Sequence, residues 1–182
     1  MVEIESKHIR CSSFTKSGFK IGDTFVINQE ELFLTNDFVS TKNINYFCSL
    51  KKRKSKVRRQ YLAMLPVRNN SELLKFTLSN LFSNNFFKYS DLLLIDDRSE
   101  EDIYAIVKEY DVTYLKISND KGFNFSMLNN IGALIAKEMG YEWIMLWNSD
   151  LWIYKEKFLE EFINKHQSEK AVITGSKLLY PI

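Results

Sequence analysis

Carboxylate and amide side chains follow apolar runs at several points of this sequence, and they are the residues best suited to chemistry. The segment EWIMLWNSDLW passes from an apolar run to Asn148–Asp150 and back, and LLLIDDRS places Asp96 and Asp97 behind another apolar run. Oxygen atoms of this kind bind hard divalent cations, hydroxyl groups and amides. An ordinary turn is the alternative for Asn148–Asp150, because Asn and Asp are frequent turn residues.

Four predicted strands would bring these residues to one edge of a sheet. The strands cover Tyr61–Val67, Leu92–Ile95, Val112–Ile117 and Glu142–Trp147, and the unbroken apolar run of the last is typical of a strand buried on both faces. Helical patterns separate them, and this alternation implies right-handed crossovers and a mainly parallel sheet. We therefore predict an α/β fold: an open, mainly parallel, Rossmann-like sheet with helices on both faces.

The four strands all end in polar residues, at the edge where such sheets bind ligands. These endings are Arg68-Asn69, Asp96-Asp97, Asn119-Asp120-Lys121 and Asn148-Ser149-Asp150. A ligand with a cation, or with several hydroxyls and amides, explains four such endings better than chance. No GxGxxG motif follows the first strand and no GxxxxGK[ST] motif occurs, so phosphate charge would need another partner. A hard divalent cation held by Asp150 would supply one.

Helix boundaries follow from capping residues. Asn69 is predicted to cap the first helix with Glu72 reaching back, Ser99 to cap the second, Ser126 to begin the third and Gly140 to end it. A further helix is predicted near Glu156–Lys165, with a short strand at Ala171–Ile173.

Residues 1–50 have a different sequence pattern from the rest of the chain. Short β-favouring runs alternate there with turn signals such as Gly22-Asp23, which predicts a small antiparallel β-unit. It could be an extension packed on the main domain, a contact to a partner subunit in a homo-oligomer or other complex, or an SH3-like binding module. We predict three parts: this unit, a basic linker at 51–60, and the main domain at 61–182.

The basic run Lys51–Arg59 carries seven positive charges in nine residues. Because the whole chain has a net charge of only +2, the rest is net acidic and the basic character is local. A solvated linker is the simplest interpretation, a contact with an anionic membrane surface the second, and nucleic acid the third. No zinc finger or RRM signature supports nucleic acid.

Composition excludes other classes of protein. A chain of 182 residues that is 45% apolar can bury a core, and no apolar run approaches the ~20 residues of a membrane span. No signal-peptide pattern opens the sequence, so we expect a cytoplasmic protein, with peripheral attachment at the inner membrane face as an option. Cys11 and Cys48 make no disulfide framework and no soft-metal site with His8 and His166.

The chain from Tyr61 onward resembles the family-2 GT-A glycosyltransferases. The blocks that carry the resemblance are LPVRNNSELL, LLLIDDRSEEDI, NDKGFNFSMLNNIGA, IMLWNSDLW and VITGSKLLYP, in the family's order and spacing. Residues 1–60 lie outside it. The resemblance implies a GT-A fold and transfer of a sugar, with inversion, from a UDP- or dTDP-linked donor to a glycan or glycoconjugate acceptor, as in polysaccharide biosynthesis.

The resemblance also implies roles for individual residues. The first block would contact base and ribose through Pro66, Val67, Arg68 and Glu72, although Arg68 stands where the family usually has an aromatic residue. The remaining donor-binding positions would be Asp96, Asp97, Asn119, Gly122, Asn124, Ser126, Asn129 and Asn148. Capping of the following helix is the alternative for Asp96 and Asp97.

Asn148-Ser149-Asp150 stands at the position of the family's DxD motif, with Asn148 in place of the first Asp. Asp150 would therefore coordinate Mn²⁺ or Mg²⁺ against the donor diphosphate. The chain ends where the acceptor half of the family begins, so no catalytic general base is assigned. A noncatalytic nucleotide-sugar-binding or scaffolding domain is accordingly the alternative to an enzyme, and a nucleotidyltransferase is a weaker third.

Overall fold

The computed structural model describes residues 10–15, 24–34, 39–118 and 122–176. Seven strands form one sheet in these residues: β1 (Arg10–Thr15), β2 (Thr24–Leu34), β3 (Val39–Lys51), β4 (Tyr61–Val67), β5 (Ser90–Asp97), β6 (Thr113–Ser118) and β7 (Trp143–Leu146). The described helices are α1 (Ser71–Ser83), α2 (Phe86–Tyr89), α3 (Ile103–Val107), α4 (Phe125–Glu138) and α5 (Phe158–Ser168).

The strand order is β1-β2-β3-β6-β5-β4-β7. Strands β6, β5, β4 and β7 are parallel neighbours, so their carboxyl ends share one edge. Strands β1, β2 and β3 add to this sheet in antiparallel order. The predicted α/β architecture is confirmed, and the first of its strands has the bounds expected from the sequence.

Two apolar cores lie on opposite faces of the sheet. Helix α4 covers one face through Leu128 and Ile131, which belong to the same core as Met64 and Ile95 of the sheet. Helices α1, α2, α3 and α5 contribute to the core on the other face, where Leu65 and Leu94 point. Helices on both faces fix the strands on both sides, so the carboxyl edge of the sheet is held by packing rather than by loops alone.

The N-terminal strands share the core under α4. Strand β3 pairs with β6 from Phe47 opposite Ser118 to Lys51 opposite Tyr114. Phe25 and Ile27 of β2 and Leu50 of β3 are buried in the same core as α4. The antiparallel unit predicted for residues 1–50 is therefore continuous with the parallel strands.

Strand β7 differs from its predicted environment. It is the last strand of the sheet in the part of the chain that the structure describes, and its residues alternate between half-buried and exposed. Ile144 and Leu146 are 45% and 59% exposed, so the expectation of burial on both faces was wrong. The strand predicted at Ala171–Ile173 is not formed either.

The basic run crosses the amino ends of the strands, opposite the polar edge. The Arg53 guanidinium pairs with the buried Asp91 carboxylate, whose other oxygen accepts from the Arg59 N–H (2.8 Å) and the Tyr141 hydroxyl (2.7 Å). Arg58 donates to the Met139 carbonyl (2.7 Å). The prediction of a solvated linker holds for Lys52, Lys54 and Lys56, which are exposed. It is wrong for Arg53, which pairs with the buried Asp91, and for Arg59, which is partly buried and donates to the Phe87 carbonyl (3.1 Å).

Candidate functional site

The carboxyl edge of the parallel strands brings the predicted residues of β4, β5 and β7 together. Val67 pairs with Asp96, and the Trp147 N–H donates to the Met64 carbonyl (2.9 Å) one residue beyond the last β4–β7 pair. Two inter-strand spacings of about 4.8 Å separate β7 from β5, so these two strands lie about 10 Å apart, with β4 between them. We call this edge the rim.

Asp96 lies just beneath the rim. Its carboxylate is buried and accepts hydrogen bonds from the Ser99 N–H (2.9 Å) and the Tyr114 hydroxyl (2.5 Å). Burial, followed by this bond to Asp96, raises the pKa of Tyr114 above its ordinary range. Asp96 is thus fixed by one donor on each oxygen, and each oxygen has a second lone pair, although the residue is only 1% exposed.

Asp97 and Arg68 form a charged pair at the rim. The Arg68 guanidinium is 3.8 Å from the Asp97 carboxylate, which is fully buried while the arginine side chain is one-third exposed. Pro66 and Val67 are themselves buried in β4. Of Pro66, Val67 and Arg68, only Arg68 therefore reaches solvent.

The loops after β4 and β5 are tied to each other. The Asn69 N–H donates to the Ser99 hydroxyl (2.8 Å), and the Asn69 side-chain oxygen accepts from the Glu100 N–H (2.8 Å). Asn69, Asn70 and Arg98 all have positive φ angles, between 51° and 62°. Such backbone strain persists only where surrounding bonds impose it, and these cross-loop bonds do so.

The cap of α1 comes from a distant residue. Glu101 accepts from the N–H groups of Asn70 (2.9 Å) and Ser71 (2.8 Å), and hydrogen bonds from Ser71 and Asn70 lower the pKa of its carboxyl. The Asn69 cap was therefore predicted wrongly, as was the capping role of Glu72, which is exposed and pairs with Lys75 (2.7 Å).

The cap of α3 also differs from the prediction. Asp102, not Ser99, accepts from the Ala105 N–H (3.1 Å), because the Ser99 hydroxyl is engaged with Asn69. Asn69 and Ser99 thus bond to the neighbouring loop, and Glu101 caps α1, so of these loop residues only Asp102 caps the helix that follows it.

The segment leading into α4 is exposed. Gly122 has open space where a side chain would begin, and Asn124 caps the helix by accepting from the Met127 N–H (3.0 Å). The helix therefore begins at Phe125, one residue before the predicted Ser126, which is exposed in its first turn. Asn119 lies outside the described residues.

Of the two predicted donor-binding residues in α4, Ser126 and Asn129, only Asn129 is buried. Its amide nitrogen donates to the Phe125 carbonyl (2.9 Å). Its amide oxygen is buried and has no hydrogen-bond partner within the described ranges. A buried oxygen of this kind is suited to accept from a ligand, because leaving it unbonded costs about 1–3 kcal/mol.

The Asn148–Asp150 turn is fastened to helix α1. The Thr77 hydroxyl, buried in the face of α1 that meets the core, donates to the Ser149 carbonyl (2.6 Å) and accepts from the Trp152 indole N–H (3.2 Å). Asn80 holds Ile153 through two further bonds, of 2.7 and 3.2 Å. Asn148 and Asp150 are exposed, and no described group donates to the Asp150 carboxylate.

A divalent cation fits Asp150 only with help from a ligand. No group of three or more His, Cys, Asp or Glu side chains that could hold a metal occurs in the described residues. Mg²⁺ and Mn²⁺ accept one or two carboxylates and fill the remaining positions with water and substrate phosphates. One open carboxylate beside the Asn148 amide therefore matches a cation that arrives with a diphosphate.

Sequence reasoning missed Thr77, Asn80, Tyr114 and Glu101. Thr77 alone left a local signal, since it is a polar residue on the apolar face of α1, three residues after Leu74. The other three act through partners 18 to 73 residues away.

No described helix is both long and apolar enough to cross a membrane.

In the comparison with curated proteins, the hyaluronan synthase of Pasteurella multocida is 28% identical over 137 residues, which cover 65% of this chain and 14% of that protein. The chain thus spans about one-seventh of this relative.

Solved structures give weaker likenesses. The crystal structure of S. aureus TarS 1-349 aligns with a TM-score of 0.47 at 18% identity, over 59% of this chain and 33% of that one. The mannosyltransferase PcManGT from Pyrobaculum calidifontis, in complex with GDP-Man and Mn²⁺, aligns with a TM-score of 0.48 at 12% identity, over 64% and 36%.

The family comparison covers most of the chain. A model described as "Glycosyl transferase family 2" matches residues 63–181, which include the four parallel strands apart from the first two residues of β4, and the whole rim. The chain therefore belongs to glycosyl transferase family 2.

Proposed function

We propose that this chain binds a nucleotide-diphosphate-sugar at the rim and serves the transfer of its sugar, with inversion, to a glycan or glycoconjugate acceptor. The observation that carries the proposal is the placement of Asp96 and Asp150 on one edge, two strands apart, in a member of this family. A donor with a nucleoside at one end and a diphosphate at the other needs hydrogen-bond acceptors at the first and a cation at the second.

The nucleoside would lie over β4 and β5. Asp96 offers its remaining lone pairs to base or ribose, and Arg68 offers an exposed guanidinium whose orientation Asp97 restrains. We propose a uracil or thymine nucleotide, and Pro66 and Val67 would support it from below as part of the buried strand.

The diphosphate and sugar would lie between α4 and the Asn148–Asp150 turn. Helix α4 runs back from the rim, so its exposed first turn, with Gly122, Asn124 and Ser126, presents N–H groups and positive dipole to an anion. The buried Asn129 oxygen lies one turn further and would accept from a donor hydroxyl.

Asp150, with Asn148 beside it, would hold Mn²⁺ or Mg²⁺. When bound, the cation offsets the negative charge that develops on the departing nucleoside diphosphate. The residues of this chain would then keep the donor in place: Asp96 the nucleoside, α4 the phosphates, and Thr77 the turn that carries Asp150.

Contact with a membrane surface is a weaker part of the proposal. Lys51 lies over the Tyr104 ring (3.7 Å), and the three arginines of the basic run have protein partners. Lys52, Lys54 and Lys56 remain exposed for an anionic surface. Peripheral attachment at the inner membrane face would therefore depend on three lysines and leave the rim pointing away.

Isothermal titration calorimetry with UDP, with and without Mn²⁺, tests the donor site. We expect the wild-type protein to bind UDP in a Mn²⁺-dependent manner and Asp150→Asn to lose this dependence, because the substitution removes the charge and keeps the size. Glu160→Gln removes an exposed carboxylate from α5 and should change nothing. Unchanged Mn²⁺-dependent affinity in Asp150→Asn would refute the metal role.

Hydrolysis of UDP-sugars separates an enzyme from a binding domain. We expect slow, Mn²⁺-dependent release of UDP that Asp150→Asn abolishes. Tight UDP binding without any release of UDP from a panel of donors would favour a domain that binds the donor without transferring its sugar.

A further inference from the structure

Two aromatic side chains form an exposed surface beside Asp150. Phe76 of α1 and Trp152, two residues beyond Asp150, meet edge to face with 5.1 Å between ring centroids. They are 57% and 45% exposed, although both are large apolar residues next to a buried core. We call this pair the aromatic ledge.

Hydrogen bonds at Trp152 and at the residue after it hold one side of the ledge in place. Trp152 donates from its indole nitrogen to the Thr77 hydroxyl (3.2 Å), and the next residue, Ile153, is bonded through its backbone to the Asn80 side chain. An aromatic ring fixed in this way loses little conformational entropy when it binds a partner, which favours its use in recognition.

The ledge and the candidate cation ligand depend on the same anchor. The Thr77 hydroxyl that accepts from Trp152 also donates to Ser149, next to Asp150. The ledge is therefore continuous with the rim and lies on its β7 side, whereas Asp96 lies on the β5 side. A donor that extends from Asp96 to Asp150 would end with its sugar towards the ledge, where an acceptor must approach.

The chemistry of the surroundings favours a carbohydrate. A pyranose ring has an apolar C–H face that matches an aromatic ring and a periphery of hydroxyl groups that need polar partners. Asn148 and Asp150, shortly before Trp152 in the chain, are exposed, and so are Lys75 and Ser79, on the same helix as Phe76. A stable protein partner would instead need about 800 Å² of contact on each side, more than two aromatic side chains provide.

We propose that the aromatic ledge of Phe76 and Trp152 stacks against a sugar ring of the acceptor glycan. This inference rests on the proposed function, because it places the acceptor at the end of the donor site. It assigns these two residues a role in acceptor binding, without a role in holding the nucleotide.

Helix α1 offers a matched control. Phe82 is 68% exposed on the same helix, but it contacts Phe87 and Tyr110 at the far end from the rim. Phe82→Ala removes as much exposed aromatic surface as Phe76→Ala and should leave every rim function unchanged.

The test is fluorescence titration and calorimetry with chitotetraose, cellotetraose and maltotetraose, in the presence of saturating UDP and Mn²⁺. We expect at least one tetrasaccharide to bind and to shift tryptophan emission to the blue as Trp152 is shielded. Its affinity should fall tenfold or more in Trp152→Ala and in Phe76→Ala. Trp152→Phe, which keeps an aromatic face, should lose less affinity for the tetrasaccharide, and Phe82→Ala should lose none.

Binding of UDP distinguishes the possible failures. If the wild-type protein binds neither UDP nor dTDP with Mn²⁺, the proposed function fails. If UDP binds normally but no tetrasaccharide binds, or if both ledge variants bind it as the wild-type protein does, only the acceptor role of the ledge is overturned. Phe76→Ala alters an exposed side chain, so it tests the ledge even if Trp152→Ala does not fold.

Discussion

Replacement of Thr77 by Val should weaken donor binding without contact between the mutated residue and the donor. Valine keeps the shape of threonine but has no hydroxyl, so the Ser149 carbonyl loses its 2.6 Å donor and the Trp152 indole N–H loses its 3.2 Å acceptor. Trp152 is half exposed and can bond to water, whereas Ser149 is more enclosed. The turn that carries Asp150 is then held less firmly.

The expected magnitude follows from these two bonds. An unsatisfied buried polar group costs about 1–3 kcal/mol, and the partial exposure of both partners puts this site at the lower end, about 1–2 kcal/mol of stability. The binding free energy that UDP loses because the turn is less well ordered cannot exceed that amount. The Mn²⁺-dependent affinity for UDP should therefore fall, by at most about five- to thirtyfold, since 1.4 kcal/mol corresponds to tenfold.

Thr77→Ser is the matched variant. It keeps the hydroxyl and removes one buried methyl group, so it should lose about 1 kcal/mol of stability with no loss of UDP affinity. Urea unfolding gives the stabilities and calorimetry with UDP and Mn²⁺ gives the affinities. If the Val and Ser variants bind UDP equally well, the Thr77 hydroxyl does not position the turn and the reasoning is wrong.

Three further predictions concern stability and are read from urea unfolding. Asp91→Ala should cost about 3–5 kcal/mol, because it leaves the Arg53 guanidinium in a buried site without its carboxylate. Burial and then the bond to Asp91 raise the pKa of Tyr141 in the folded protein. The contribution of Tyr141 to the free energy of unfolding is therefore complete below the unfolded pKa of about 10 and is lost as the pH rises from there through the folded pKa. Tyr141→Phe should make this loss of stability at alkaline pH smaller. Gly140 ends α4 with φ of 76°, so Gly140→Ala should cost about 1–2 kcal/mol and Gly140→Asn less.

The parallel half of the fold was predictable because its signals are local. Unbroken apolar runs mark the cores of β4 and β5, and the polar residues behind them mark the rim. Gly140 ends α4 as predicted, since a positive φ favours glycine whatever surrounds it. Each of these features is determined by a few adjacent residues.

The features that could not be predicted depend on contacts between distant residues. The Asp96 carboxylate accepts from Tyr114 of the neighbouring strand, and α1 takes its cap from Glu101, some 30 residues away. The exposure of β7 has a similar origin, because an apolar run such as Trp143–Leu146 does not reveal whether a strand has one neighbour or two. These outcomes are set by strand order, which the sequence shows only indirectly.

The pairing of β3 with β6 affects where this protein can be cut. A fragment that began at the family boundary, residue 63, would lack Phe25, Ile27 and Leu50 and would uncover the apolar residues beneath them. It would also leave the backbone N–H and C=O groups of Tyr114–Ser118 open to any passing strand. Such a fragment should aggregate, so a fragment that is to stay in solution when expressed has to retain the N-terminal strands.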